Sequence, residues 1–314
     1  MANPCLSAPE TAGPASNILG LIECKNLEDD VFTHVYEQWQ PPAARGVYGG
    51  ATIGLSLFTF LRAGSIDRRL TFHVTRIRQG HSFATRTVKG RDQDEAVLVT
   101  TVSFTRQNGR SLGTVQHSIA PFEIPKLPGD SCEERPEWTL AEPFQRRPID
   151  EISKSTSNHP SMNRSIFRQW IRFPGVIPET GASSVHLHAL AFLTDSYFIL
   201  TAARLHRLWR LPFSPEDVSS LSPELRSQIQ RVCESEGVGS TVEEWAKHPR
   251  TSMVTSLDHS IYFHEPLRIK ADEWMVSEMG SPWAAHGRAL VVQRIFSKDG
   301  TLLVTCSQEV RLSL

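Results

Sequence analysis

The polar side chains best suited to chemistry are concentrated between residues 255 and 266. This stretch combines β-branched and aromatic residues with several hydroxyls, the carboxylate of Asp258 and two histidines, His259 and His264. A buried polar atom without a hydrogen-bond partner costs about 1–3 kcal/mol, so a plain core strand would not carry so many polar groups. The pattern therefore predicts a strand that runs through a polar site.

A single amide lies among apolar side chains in the last predicted strand, residues 301–312. Side chains alternate between the two faces of a strand, so Gln308 shares one face with Val304, Cys306 and Val310. Two interpretations remain open. Gln308 is either a buried amide bonded to a loop backbone or a residue of the polar site.

Asp195 lies at the start of the clearest helical pattern in the chain. Phe198, Ala202, Leu205 and Trp209 recur at helical spacing after Asp195. The pattern predicts a helix with Asp195 at its N-terminus, where the dipole would keep the carboxylate ionised and able to act as a general base. The backbone N–H groups of the same turn could then receive an oxyanion. The alternative for Asp195 is a plain helix cap.

The remaining patterns predict two similar α+β halves. A helix is expected after Gly49 and Gly50, and strands in alternating runs, which in the first half form an antiparallel meander. Shifting the sequence by 205 positions places residues 84–106 over residues 289–311 without a gap, which indicates a duplication. The expected divisions are a flexible arm (1–20), an N-terminal unit (21–120), a linker (121–165) and a C-terminal unit (166–314) with a helical insertion (212–250).

Composition excludes several classes of protein. The formal net charge of −1 over 314 residues argues against a general nucleic-acid binder. Five cysteines without metal-ligand spacing favour an intracellular compartment and no metal site. No secretory signal and no apolar run long enough for a membrane span are found. The end Arg311-Leu312-Ser313-Leu314 is not a clear peroxisomal address, so the expected compartment is cytoplasmic or peroxisomal. A homo-oligomer is compatible with these properties.

Six short motifs follow one another in the second half: Trp170-Ile171-Arg172, Leu193-Thr194-Asp195, Ser256-Leu257-Asp258-His259-Ser260, Phe263-His264-Glu265-Pro266, Asp272-Glu273-Trp274 and Ser307-Gln308-Glu309. Together they resemble the signatures of the type II acyl-CoA thioesterases, the TesB-like double-hotdog family, over about residues 21–312. The resemblance implies an α+β fold of two tandem hotdog units, each an antiparallel sheet wrapped on a central helix. It also implies hydrolysis of acyl-CoA in lipid and fatty acid metabolism, without metal or cofactor.

The same resemblance implies a catalytic trio, Asp195, Ser256 and Gln308, that activates a water molecule. Three departures from the family pattern are visible. Ser256 replaces the usual Thr, which keeps the hydroxyl but loses a methyl group that restricts the rotamer. Ala51 replaces a Gln after the two glycines, and the segment between Leu57 and Leu61 is short. The first unit is therefore expected to be truncated.

Two other functions fit the same residues. One is an accessory thioesterase-like hydrolase of a polyketide or other secondary-metabolite pathway. The other is a catalytically weak acyl-CoA binding protein, which the shortened first half would explain. A set of first-half arginines has two interpretations, a solvated sheet edge or contacts to CoA phosphates: Arg62, Arg68, Arg69, Arg76 and Arg78.

Overall fold

The computed structural model describes residues 24–34, 49–55, 69–106, 115–119, 123–124, 144–149, 165–177, 183–195, 197–211, 213–236 and 241–314. The predicted arm, the predicted shortening at 57–61 and most of the predicted linker lie outside these residues. The described strands form two antiparallel sheets, and a helix packs against each sheet.

The first sheet is a meander of five strands in chain order. The strands are β1 (Cys24–Glu28), β2 (Val31–His34), β3 (Thr71–Gln79), β4 (Phe83–Asp92) and β5 (Glu95–Thr105). Helix α1 (Gly49–Leu55) places Ile53 against the apolar face of this sheet, beside Leu70 and Phe72. These contacts form the core of the first unit.

The second sheet is larger and carries the second half of the chain. Its strands run in the order β6-β7-β10-β11-β12, and two short strands, β8 and β9, pair with β12. The bounds are β6 (Gln145–Pro148), β7 (Ile166–Arg172), β8 (Met253–Ser256), β9 (Ser260–Phe263), β10 (Met275–Ala285), β11 (Arg288–Ser297) and β12 (Leu302–Ser313). Strand β6 lies within the stretch predicted as a linker and pairs with β7.

The polar stretch at 255–266 is two strands and not the single strand that the sequence predicts. Strand β8 pairs with the end of β12 and β9 with its beginning, so residues 257–259 interrupt the pairing opposite Gln308 and Glu309. Asp258 fixes this break, because its carboxylate accepts a hydrogen bond of 2.7 Å from the backbone N–H of Glu309. The interruption brings Ser256, at the end of β8, beside Gln308.

The central helix of the second unit is α2 (Ser183–Thr194), which ends immediately before Asp195. The predicted helix from Asp195 to Trp209 is therefore wrong: a turn follows Asp195, and only α3 (Thr201–Leu205) is helical. Helix α2 was missed because residues 189–194 are all buried, between the second sheet and α1. A helix that is apolar all round shows no helical periodicity in its sequence.

Three short helical segments follow α3 within the stretch predicted as an insertion. They are a 3-10 turn (Pro215–Ser220), α4 (Pro223–Glu236) and α5 (Val242–Trp245). Trp209 and Trp245 are both fully buried and pack together with ring centroids 5.0 Å apart. The insertion thus has a small core of its own. Among the helices described, none is long and apolar enough to cross a membrane.

The two repeated hairpins, β4–β5 and β11–β12, differ in register by one residue. Val102 lies opposite Arg86 in the first hairpin, and Gln308 lies opposite Val291, the residue 205 positions after Arg86. The first-unit counterpart of Gln308 is therefore Val102 and not Ser103, which the ungapped shift suggests. An apolar side chain takes the place of the amide in the first unit.

Candidate active site

Gln308 joins the three predicted site residues. Its side chain is fully buried on the face of β12 that packs against α2. Its Nε2 donates one hydrogen to Asp195 Oδ1 at 3.0 Å and the other to Ser256 Oγ at 2.8 Å. Because Ser256 accepts this bond, its own hydroxyl proton is free to point at another acceptor. The Oε1 atom of Gln308 accepts no hydrogen bond from any described residue.

Asp195 lies at the C-terminal end of α2, and not at the helix N-terminus expected from the sequence. This end of a helix carries partial negative charge and does not stabilise a carboxylate. Asp195 is only 5% exposed, and burial raises the pKa of its carboxyl group. Hydrogen bonds from Gln308 and from the backbone N–H of Gly50 oppose that rise. These two donors favour the ionised carboxylate against the larger effect of burial, whereas its own helix does not.

Gly50 brings the first unit into the site. It is the second residue of α1, and its N–H group donates to the Asp195 carboxylate across the boundary between the two units. The sequence pattern marked Gly49 and Gly50 only as the opening of a helix. No periodic signal could assign them to Asp195, which lies 145 positions later in the sequence.

A buried histidine fixes the end of α2. The Thr194 hydroxyl donates to the carbonyl of Ala191 at 2.7 Å, so it must accept the 3.1 Å bond that it shares with His259 Nε2. His259 is therefore the neutral tautomer with its proton on Nε2. Its ring packs edge-on against Phe198, at 5.7 Å between centroids. Burial lowers the pKa of His259 to about 3.

The buried neutral state of His259 should make stability depend on pH. As pH falls below 6.5, the His259 imidazole binds a proton in the unfolded chain but not in the folded protein. The free energy of unfolding should therefore fall by up to about 1.4 kcal/mol per pH unit, until the folded pKa of about 3 is reached. Urea unfolding at pH 7.5, 6.5 and 5.5 measures this slope. His259→Phe should flatten it, whereas replacing the exposed His81 by Gln should keep it. Equal slopes in wild type and His259→Phe would contradict the assignment.

The structure thus places Asp195 and Ser256 within hydrogen-bond distance of the side-chain nitrogen of Gln308. Asp258 and His259, which adjacent strand positions predict to face opposite ways, do so: Asp258 is exposed and His259 is buried. Both make structural contacts, Asp258 with the Glu309 backbone and His259 with the Thr194 hydroxyl. Among the described residues, no cluster of His, Cys, Asp and Glu has the geometry to hold a metal ion.

The first-half arginines differ in their contacts. Arg76 forms an ion pair with Asp30 at 2.8 Å, and Arg69 donates to the carbonyl of His34 at 3.3 Å. Arg62 and Arg68 lie outside the described residues. The contacts of Arg76 and Arg69 are those of a sheet edge that binds its own neighbours.

Two protein-family models match the sequence of this chain. The model described as the acyl-CoA thioesterase C-terminal domain matches residues 122–312. The model described as the acyl-CoA thioesterase N-terminal domain matches residues 56–106. Together these matches cover strands β3 to β12 and include every residue of the predicted trio.

Relatives of similar length carry related names. Acyl-coenzyme A thioesterase 8 of Mus musculus is 25% identical, over 97% of this chain and 96% of the relative. Peroxisomal acyl-coenzyme A thioester hydrolase 1 of Saccharomyces cerevisiae is 20% identical, over 94% of this chain and 93% of its own length.

Solved structures share the fold. The tesB protein of Mycobacterium avium subs paratuberculosis superimposes with a TM-score of 0.65 at 17% identity, covering 96% of this chain and all of that one. The acyl-CoA thioesterase II TesB2 of Mycobacterium marinum gives 0.60 at 24% identity, covering 95% of this chain and 97% of its own. These similarities confirm the predicted α+β fold with tandem hotdog units.

Proposed function

Because the chain belongs to the acyl-CoA thioesterase family, we propose that it hydrolyses acyl-CoA with a water molecule held by Asp195, Ser256 and Gln308. The observation that carries this assignment is the pair of hydrogen bonds from Gln308 Nε2, which ties together residues from α2, β8 and β12 in a largely buried site. A structural amide in a core would not need a carboxylate and a hydroxyl as its two acceptors.

The unused hydrogen-bond donor and acceptors of the three side chains can together hold one water molecule. The Asp195 carboxylate and Gln308 Oε1 can each accept a hydrogen from this water, and the Ser256 hydroxyl can donate to one of its lone pairs. The remaining lone pair is left for attack on the thioester carbonyl carbon. Asp195 takes the proton that the water loses, as a general base.

The reaction is a hydrolysis that needs no further reagent. The water oxygen bonds to the carbonyl carbon, the C–S bond breaks, and the sulfur leaves as the thiol of CoA with the proton that Asp195 held. The products are the free acid and CoA. Thiol release from acyl-CoAs of several chain lengths tests this activity. Binding of acyl-CoA without thiol release would instead support the weak binding protein.

Replacement of Ser256 tests the role of the hydroxyl. Ser256→Ala should lower kcat by up to about twelvefold, because one oriented hydrogen bond to the water is lost, worth at most about 1.5 kcal/mol. Ser256→Thr keeps the hydroxyl and adds a rotamer-restricting methyl, so it should retain wild-type kcat within about threefold. The measurement is initial thiol release at saturating substrate. Equal losses in both variants would assign Ser256 to packing only.

The finer properties of the chain are also part of this proposal. We place the enzyme in the cytoplasm or a peroxisome, as the cysteines without metal-ligand spacing and the name of the yeast relative support. The division into an N-terminal unit (21–120) and a C-terminal unit (166–314) stays a prediction, and strand β6 joins the second sheet from within the predicted linker. A homo-oligomer is compatible with this arrangement.

A further inference from the structure

A cavity of about 680 Å³ opens at one end of the second sheet, outside the catalytic trio. Its volume lies within the roughly 300–1,000 Å³ of small-molecule sites. The floor is apolar and includes Leu208, Leu257 and Leu312. The rim is polar and carries two imidazoles and two guanidinium groups: His206, His286, Arg288 and Arg311.

The two rim arginines are directly opposite each other on neighbouring strands. Arg288 of β11 pairs with Arg311 of β12, an arrangement of like charges that destabilises a sheet by itself. Glu309 neutralises Arg288 through an ion pair of 2.8 Å. Arg311 is exposed and makes no ion pair with any residue in the part of the chain that the structure describes. The rim therefore keeps an uncompensated guanidinium group, which suits an anion.

The lip of the cavity is held in a demanding backbone conformation. The β10–β11 turn has His286 at φ 53° followed by Gly287 at φ 69°, the two positive values that a tight hairpin turn requires. Asn or Gly fits the first position best, yet the chain places an imidazole there. This turn presents the exposed His286 imidazole at the lip of the cavity.

The cavity lies at the end of the sheet next to the catalytic trio, and no residue of the trio lines it. Leu257, which lines the cavity, follows Ser256 directly, and Leu312 is on the same face of β12 as Gln308. The two rim arginines are on the opposite face, so an arm from the trio would reach them around the end of the sheet. Four residues at about 3.3 Å each place Leu312 about 13 Å from Gln308 along the strand. A substrate with its thioester at the trio would reach the rim with a long arm. The pantetheine arm of CoA is such a connection, and it ends in phosphates and an adenine ring.

We propose that this cavity binds the phosphorylated nucleotide of CoA, with the phosphates at Arg311, beside the ion-paired Arg288, and the adenine ring on the apolar floor. This inference rests on the proposed function and makes it specific, because the site would select thioesters of CoA over those of a bare pantetheine arm. An acyl tail, which carries no charge, would gain nothing from the cationic rim.

The test compares one acyl group carried on CoA and on pantetheine. Wild type should hydrolyse the CoA thioester with the higher kcat/KM. Arg311→Gln should lower the ratio of the two kcat/KM values at least tenfold, through KM for the CoA thioester, and Arg311→Lys should fall in between because a bidentate phosphate contact is lost. Arg268→Gln is the matched control: Arg268 is half-exposed, ion-paired with Asp299, and lies at the opposite end of β11. It should keep the wild-type ratio.

Direct binding separates this inference from the proposed function. Calorimetric titration of CoA into the chain should give a Kd that weakens at least tenfold in Arg311→Gln, whether or not any thioester is hydrolysed. Equal loss with both thioesters, or CoA binding that Arg311→Gln leaves intact, would overturn the nucleotide site and leave the hydrolysis proposal standing. Failure of wild type to release thiol from any acyl-CoA would overturn the proposed hydrolysis. The calorimetric Kd values of wild type and Arg311→Gln for CoA would then test the nucleotide site by themselves.

Discussion

Asp195→Asn should reduce kcat for acyl-CoA hydrolysis by about 10²–10⁴-fold, the range for loss of a positioned general base. The amide keeps the size of the side chain and can still accept from Gln308, so acyl-CoA should still bind. Single-turnover thiol release together with calorimetric binding separates the two effects. In wild type, activity should rise with pH at a midpoint above the ordinary carboxyl value of about 3.9, because burial raises the pKa of Asp195 and only the ionised form accepts the proton.

Asp258→Asn is the matched control for this prediction. Asp258 lies two residues from Ser256, but its carboxylate is exposed and bonded to the Glu309 backbone, outside the proposed water site. Its loss should affect stability through the β8–β9 break and leave kcat near the wild-type value. A comparable fall of kcat in both variants would mean that the break, and not the base, limits the reaction.

Gln308→Leu should lower kcat by roughly 10–150-fold near neutral pH. The variant loses a hydrogen bond to a charged group, worth about 1.5–3 kcal/mol, and the orientation of the Ser256 hydroxyl. Since the Gln308 bond lowers the pKa of Asp195, its removal should raise that pKa further, and the acid limb of the pH–rate profile should move to higher pH. The full profile of kcat/KM against pH measures both effects.

Gln293→Leu is the matched control, because it removes a buried amide that lies outside the proposed water site. Gln293 is also a fully buried amide, on the neighbouring strand β11, but its Nε2 donates only to Ser277 Oγ, at 2.8 Å. Replacing it should change thermal stability while the acid limb stays in place. If the two variants shift the profile equally, Gln308 acts through packing of the core alone.

The strands of the second sheet were predictable because they obey local rules. Alternation placed Gln308 on the buried face, and the predicted strand at 301–312 differs by one residue at each end from Leu302–Ser313. The repeat between residues 84–106 and 289–311 added a second, independent indication of paired hairpins. Alternation needs only the strand itself, and the repeat needs only two stretches of sequence laid over each other, so neither depends on knowing the fold.

The features that were missed depend on distant contacts. Helix α2 lost its periodicity because its last six residues are enclosed by both units, and the helical spacing after Asp195 came from a turn and a short helix instead. The break at 257–259 is imposed by the Glu309 backbone, which Asp258 reaches across the sheet. Gly50 meets Asp195 only when the two units pack together. No local window of sequence contains these partners.

The bond between Gly50 and Asp195 also bears on the ancestry of the chain. Two identical hotdog units would by symmetry build two sites, each borrowing a backbone group from its neighbour. Here Val102 stands where a second site would need its amide, so the described residues of the first unit hold no counterpart of Gln308. The described contribution of the first unit to the site is one peptide N–H, which depends on the position of the backbone and not on a particular side chain. Natural selection would act there on main-chain position, which a comparison of residue identities does not detect.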